Sequence, residues 1–292
     1  MPWIQLKLQT TGKRTEQVED LLLELGAVSV TLEDSADQPL FEPPPGATPI
    51  WNEVTLTGLF DSSSDMELVA VAVHNELGAD LPLRIEALED KDWEREWMKG
   101  YQPIPFGKRL WVCPSWLTPP DPNAVNMLLD PGLAFGTGTH PTTAMCLQWL
   151  DGHDVSGKTV MDFGCGSGIL AIAAALLGAE KVICIDNDPQ ALLATRDNAA
   201  RNHVEDKLVV LAPEQLNSDV QVDLMLANIL AGPLISLAPK LCAHTRNGGD
   251  IVLSGILADQ AESVSAAYTP WCQMSAPAQT EDWIRLHGIR TA

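Results

Sequence analysis

The sequence predicts an α/β protein, with a doubly wound, Rossmann-like domain preceded by a small α+β ferredoxin-like domain. Three observations carry this expectation. From about Gly107, short apolar runs such as "TVMDFG", "KVICIDND" and "KLVVLA" alternate with helical stretches such as "ILAIAAALLGA", and continuous apolar strands joined by helical crossovers build a parallel sheet covered on both faces. Before residue 88 a strand, helix, strand order occurs twice, the pattern of a split βαβ domain. The length of 292 residues has room for both.

In "WIQLKLQ", Ile4, Leu6 and Leu8 share one face and Gln5, Lys7 and Gln9 the other, the period of a half-buried strand. Val18, Leu21, Leu22 and Leu25 recur at helical spacing from about Lys13, Gly26 stands where a helix end is capped, and "VSVTLED" alternates as a second strand. The Pro-rich "EPPPGATP" at 42–49 is a loop. The order then repeats, with strand "WNEVTLTGLF", helix "DMELVAVAVHNELG" and strand "LPLRIEAL", and Glu24-Leu25-Gly26-Ala27 recurs as Glu76-Leu77-Gly78-Ala79. Residues 1–88 therefore form the ferredoxin-like domain. In "EDKDWEREWMKGYQPIPFG", Trp93 and Trp97 sit one turn apart on a short charged helix ended by glycine and proline. Residues 89–106 read as a helical linker, its tryptophans packed against a domain and its Gly100 and "QPIP" allowing movement. Residues 107–292 form the second domain, closed by "EDWIRLHGIR", which alternates as an antiparallel strand at the sheet edge.

Composition excludes several classes. Hydrophobic residues make up 46% and charged residues 20%, values of a folded chain and not of a disordered one. No run of eighteen apolar residues and no secretory leader pattern occurs, which predicts a cytoplasmic protein without membrane contact. Cys113, Cys146, Cys165, Cys184, Cys242 and Cys272 lie far apart, mostly in apolar runs, and neither they nor the six histidines have ligand spacing; buried free thiols and no metal are expected. Eighteen Lys and Arg against 39 Asp and Glu give a formal charge of −21, a field that repels nucleic acid and attracts a basic partner. The chain is expected to act as a monomer.

The chemistry concentrates in "VMDFGCGSGILA", 160–171. In a doubly wound sheet the ligand lies at the carboxyl ends of the strands, where strand order reverses. Gly164, Gly166 and Gly168 let a ligand approach the main chain there, and the following helix offers its positive N-terminus. The glycines run G-x-G-x-G, and Ile169 takes the place of the third glycine of the dinucleotide fingerprint G-x-G-x-x-G. Asp162 suits a cation better than a pyrophosphate. Asp186, 22 residues after Gly164 and just past the next strand, can accept from both ribose hydroxyls. That acid indicates an adenosine-type ligand and leaves S-adenosylmethionine and NAD both open.

D-x-G-x-G-x-G with an acid closing the next strand resembles the class I S-adenosylmethionine-dependent methyltransferases. Two further segments, "LLDPGLAFGTGTHPTTAMCLQWL" at 128–150 and "LMLANILAGPL" at 224–234, together with the two-domain plan, resemble the PrmA family of ribosomal protein L11 methyltransferases over nearly the whole chain. "GLAFGTGTH" is no phosphate loop, because no lysine follows Gly136 or Gly138. The resemblance implies that Thr143, Asp162, Gly164, Gly166, Asp186 and Asn228 bind S-adenosylmethionine. It further implies an enzyme methylating lysine side chains and the N-terminal α-amine of a basic ribosomal protein, with the first domain recognising that substrate. Thr142 and Thr143 can also be read as helix-capping residues, and Asn228 as a turn residue. Asn228 is the catalytic candidate, since in related amine methyltransferases this position opens an N-P-P-Y motif that holds the accepting nitrogen. Here Ile229, Leu230 and Ala231 follow, a departure that disfavours a stacked nucleobase and suits an aliphatic amine. A nicotinamide-dependent oxidoreductase and a non-catalytic binding module are the alternatives from other classes.

Overall fold

The computed structural model describes residues 3–36, 38, 48–79, 81–88, 100–130 and 138–291. The chain divides into two compact units, Met1–Gly100 and Tyr101–Ala292. The loop at 42–47, the linker tryptophans Trp93 and Trp97, and Gly136 lie outside the described residues.

In the first unit the alternating and helical periods become β1 (Trp3–Thr11), α1 (Thr15–Glu24), β2 (Ser29–Asp34), β3 (Glu53–Asp61), α2 (Met66–Leu77) and β4 (Leu83–Leu88). The four strands form one sheet in the order β2-β3-β1-β4, all neighbours antiparallel, the ferredoxin-like arrangement. Leu6, Leu8, Leu56 and Phe60 are buried with Val18 and Leu22 of α1 and Val73 of α2. Asp65 caps α2 by accepting from the N–H groups of Glu67 and Leu68.

The second unit opens with three short strands that the sequence reading did not separate, β5 (Ile104–Phe106), β6 (Leu110–Cys113) and β7 (Val125–Leu128). Runs of three or four residues among prolines are too short to show a period. Tertiary contact fixes them. The buried carboxylate of Asp151 accepts the N–H groups of Lys108, Arg109 and Leu110 at 2.6, 2.9 and 2.9 Å.

The rest is α3 (Pro141–Gly152), β8 (Thr159–Phe163), α4 (Ile169–Leu176), β9 (Lys181–Ile185), α5 (Pro189–Arg201), β10 (Leu208–Leu211), β11 (Val222–Asn228), α6 (Ala231–Ala243), β12 (Thr245–Leu257), α7 (Ala261–Tyr268), β13 (Cys272–Met274), β14 (Ala278–Thr280) and β15 (Trp283–Arg290). The sheet order is β10-β9-β8-β11-β12-β15-β13, with β14 also on β15. The strands β10, β9, β8, β11 and β12 are parallel, and β15 is antiparallel to β12. The closing strand is therefore antiparallel as its alternation suggests. It lies between β12 and β13 rather than at the edge, because β13 adds a further ladder.

Alternate residues of the central strands feed two cores. Val160, Cys184, Leu224 and Leu226 pack with α3, α4 and α5, and Met161, Ile183, Met225 and Leu253 with α6 and α7. Chain order reverses at β8, whose following strands go to one side as β9 and β10 and to the other as β11 and β12. The crevice at the carboxyl ends of β8 and β11 is thus the switch point. Among the described residues no helix is long and apolar enough to cross a membrane.

Candidate active site

The glycine turn leaves β8 at this switch point. Gly164, Gly166 and Gly168 all have positive φ, at 80, 55 and 80°. At Gly164 the close packing is as decisive as the dihedral, because a Cβ would stand 2.3 Å from Ile229 Cγ2. No side chain fits between the turn and the end of β11.

Asp162 occupies a core position. In the sheet it is level with Cys184 and Leu226, and it is only 1% exposed. Its Oδ2 accepts the Ala171 N–H of α4 at 3.1 Å, while its buried Oδ1 has no hydrogen-bond partner among the described residues. Burial raises its pKa to about 7, the Ala171 N–H opposing and the Asp186 charge adding to the rise. Nearby Cys146 is pushed up to about 12 by burial, so its neutral thiol supplies no compensating charge. A buried carboxylate with an orphaned oxygen is costly unless a donor or cation meets it, and an organic ammonium ion fits that requirement.

Asp186 follows β9 directly. Its Oδ2 accepts the N–H of Gly166 at 2.9 Å and its Oδ1 that of Asp188 at 3.0 Å. These bonds aim the carboxylate and tie it to the turn, and each oxygen keeps a lone pair for a hydroxyl.

Across the switch point, Asn228 ends β11 and its Nδ2 donates to Thr143 Oγ1 at 3.2 Å. Thr143 is buried in the first turn of α3. The capping reading of the two threonines is corrected here. His140 is the N-cap, its Nδ1 accepting from Thr142 N at 3.4 Å and lying 2.7 Å from Thr142 Oγ1. His140 itself escaped the sequence reading, since histidine is not among the usual capping residues. Its ring meets Trp283 edge-on at 4.7 Å, and burial lowers its pKa against the opposing charge of Glu281. The structure thus gathers Asp162, Gly164, Gly166, Asp186, Thr143 and Asn228 around the carboxyl ends of three neighbouring strands. Among the described residues no group of three or more His, Cys, Asp or Glu is placed to hold a metal ion.

Comparison with known proteins shows the family of the chain. The family model described as ribosomal protein L11 methyltransferase (PrmA) matches residues 2–291. The ribosomal protein L11 methyltransferase of Marinobacter nauticus is 56% identical over 295 residues, covering 99% of both chains. That of Shewanella sediminis is 55% identical over 292 residues, covering 99% of this chain and all of the other. The crystal structure of ribosomal protein L11 methylase from Lactobacillus delbrueckii subsp. bulgaricus aligns with a TM-score of 0.60 and 34% identity, over 66% of this chain and all of that one. The chain belongs to the ribosomal protein L11 methyltransferase (PrmA) family.

Proposed function

We propose that this methyltransferase moves methyl groups from S-adenosylmethionine to lysine side-chain amines and the N-terminal α-amine of ribosomal protein L11, with Asn228 holding the accepting nitrogen. The observation that carries the reading is the Asn228–Thr143 hydrogen bond, set across the switch point from the orphaned Oδ1 of Asp162. Bound S-adenosylmethionine would supply a methyl group on a sulfonium; an amine lone pair would form the new N–C bond as the S–C bond breaks and its electron pair leaves on sulfur as S-adenosylhomocysteine.

The chain's own part is mostly alignment, a contribution of roughly 7–11 kcal/mol in well-oriented systems. Asp162 Oδ1 would meet the ammonium of the cofactor's amino acid, and the spare lone pairs of Asp186 would accept from its ribose hydroxyls. Because Asn228 Nδ2 is committed to Thr143, its Oδ1 is the atom left to accept an N–H of the incoming amine. Leu230, 53% exposed beside it, offers apolar surface to an aliphatic chain. Free lysine has a pKa of about 10.4. Desolvation beside a sulfonium lowers it, so the amine loses its proton without a dedicated strong base. The −21 charge attracts a basic ribosomal protein, and the ferredoxin-like unit docks it.

Intact-mass spectrometry of purified L11 incubated with the protein, with and without S-adenosylmethionine, tests the reading. Whole-methyl additions that require the cofactor are expected, and peptide mapping should find them on lysines and the N-terminus. No additions despite measured S-adenosylmethionine binding would remove L11 as substrate, and additions elsewhere would remove the assignment to amines.

A further inference from the structure

The inward face of α5 carries polar residues where a core-facing helix ordinarily carries aliphatic ones. Thr195 and Asn198 stand at i and i+3 of α5, and Asn202, which caps its C-terminus, follows at i+7 to continue the stripe. Thr195 is fully buried and Asn202 9% exposed. Buried hydroxyls and amides cost free energy unless hydrogen-bonded, and each of these meets a main-chain carbonyl, two of them in the glycine turn of the candidate site. Thr195 Oγ1 donates to Gly166 O at 3.0 Å, and Asn198 Nδ2 donates to Ser167 O at 2.9 Å. Asn202 holds Leu128 at the end of β7 with both arms, its Nδ2 donating to Leu128 O and its Oδ1 accepting Leu128 N–H, each at 2.7 Å.

The other directions of the turn are also fixed. Gly164 and Cys165 both donate to Ile185 O at 2.7 and 3.0 Å, Gly168 donates to Cys165 O at 2.8 Å, and Gly166 donates to Asp186. Three left-handed glycines in five residues would otherwise leave this segment free to adopt many shapes, and ordering it would fall on the ligand.

We propose that Thr195 and Asn198 of α5 are positioning residues that hold the glycine turn in its ligand-ready shape, with Asn202 tying the end of β7 to the same helix, so that cofactor binding does not have to order the turn. None of the three is a catalytic residue, and the inference rests on the reading that this turn holds S-adenosylmethionine. A helix face serving packing alone would be better made of leucine and alanine, since an aliphatic side chain cannot select one conformation of a loop carbonyl.

Wild-type binding of S-adenosylmethionine is measured first by titration calorimetry; its absence would overturn the cofactor reading, and this inference with it. Thr195→Val and Asn198→Ala are then compared with Arg196→Ala, a neighbour on the same helix whose guanidinium bonds Val210 O. Both stripe variants should raise the Kd and KM for S-adenosylmethionine about tenfold while kcat at saturating cofactor stays within about twofold. In the ligand-free chain, amide exchange at 166–168 should quicken. Thr195→Ser, which keeps the donor, should restore both, and Arg196→Ala should move neither. Stripe variants that lower the melting temperature but leave Kd and exchange at 166–168 as in the wild type would overturn the proposal and reduce the stripe to packing. If Thr195→Val or Asn198→Ala fails to fold, Asn198→Asp, which keeps the side chain's shape but not its donor to Ser167 O, carries the same comparison.

Discussion

The two ends of the central sheet are built from the same strands and treat charge in opposite ways. At the amino ends of β8, β11 and β12, charges are paired. Lys158 Nζ lies 3.2 Å from Asp250 Oδ2, His287 Nε2 lies 3.0 Å from Asp250 Oδ1, and Asp223 takes Arg246 on one oxygen and the Thr159 N–H on the other. Of these, Lys158, Asp223, Arg246 and Asp250 line a depression of about 420 Å³, to which they bring charges already paired with one another or with His287. At the carboxyl ends, Asp162 keeps a buried oxygen without a partner among the described residues, Asp186 is aimed by main-chain N–H groups, and the chain runs through three left-handed glycines. One end pairs its charges within the protein and the other leaves bonding capacity unspent. A depression by itself is therefore not the better sign of a site; unspent bonding capacity is the more informative one.

Substitutions at the two ends should divide accordingly. The largest effect is expected from Asn228→Ala, which should lower kcat about 10²-fold with little change in melting temperature; steady-state kinetics beside a thermal melt would show it. A loss of stability in step with activity would make Asn228 a turn residue instead.

Next is Asp162→Asn, which should act in two directions. The ionised carboxylate is costly where it sits, so at pH 8 the ligand-free variant should be the more stable by about 1–3 kcal/mol, while its affinity for S-adenosylmethionine falls about tenfold. The sign with pH follows. The folded pKa is raised from 3.8 to about 7, so between these values the native state holds a proton that the unfolded state has lost, and wild-type stability declines as pH rises through this window. The variant lacks that slope, and S-adenosylmethionine should bind the wild type less well as pH drops below 7. Denaturant unfolding and calorimetry across pH 5–8 measure both.

The smallest effect belongs to the other end. Burial would raise the pKa of Asp250, but hydrogen bonds from His287 and Lys158 and their charges hold it below the ordinary carboxylate value. Its stabilisation is thus present at neutral pH and lost as pH falls below about 4. Asp250 and Lys158 are partly exposed, so Asp250→Asn should cost no more than about 1 kcal/mol, flatten the acid limb of the stability curve and leave methyl transfer unchanged. Altered kinetics in this variant would show that the two ends are coupled.

Much of this was legible in the residues themselves. Each strand of the first unit shows an alternating period, and Gly26 and Gly78 follow α1 and α2, where the pattern places helix ends. Asp162 stands out as the one acid in "TVMDF", and the glycine spacing separates the turn from the dinucleotide type. Less was legible where several weak signals overlap. The strands β5 to β7 are too short for a period, and the polar stripe on α5 reads as ordinary helix until its partners are known. The six cysteines look scattered and remain free and buried, yet the fold brings Cys242 and Cys272 sulfurs to 3.8 Å.

The sequence by itself determined the elements, the turn and its two acids, because hydrophobic period, helix ends and glycine requirements are properties of neighbours along the chain. Only the tertiary structure decided which of them meet. Asn228 reaches Thr143 across 85 positions and Asn202 reaches Leu128 across 74. The first contact depends on a sheet in which β11 lies beside β8, an order fixed by crossover topology and by the burial of two cores at once. No local pattern encodes such an order.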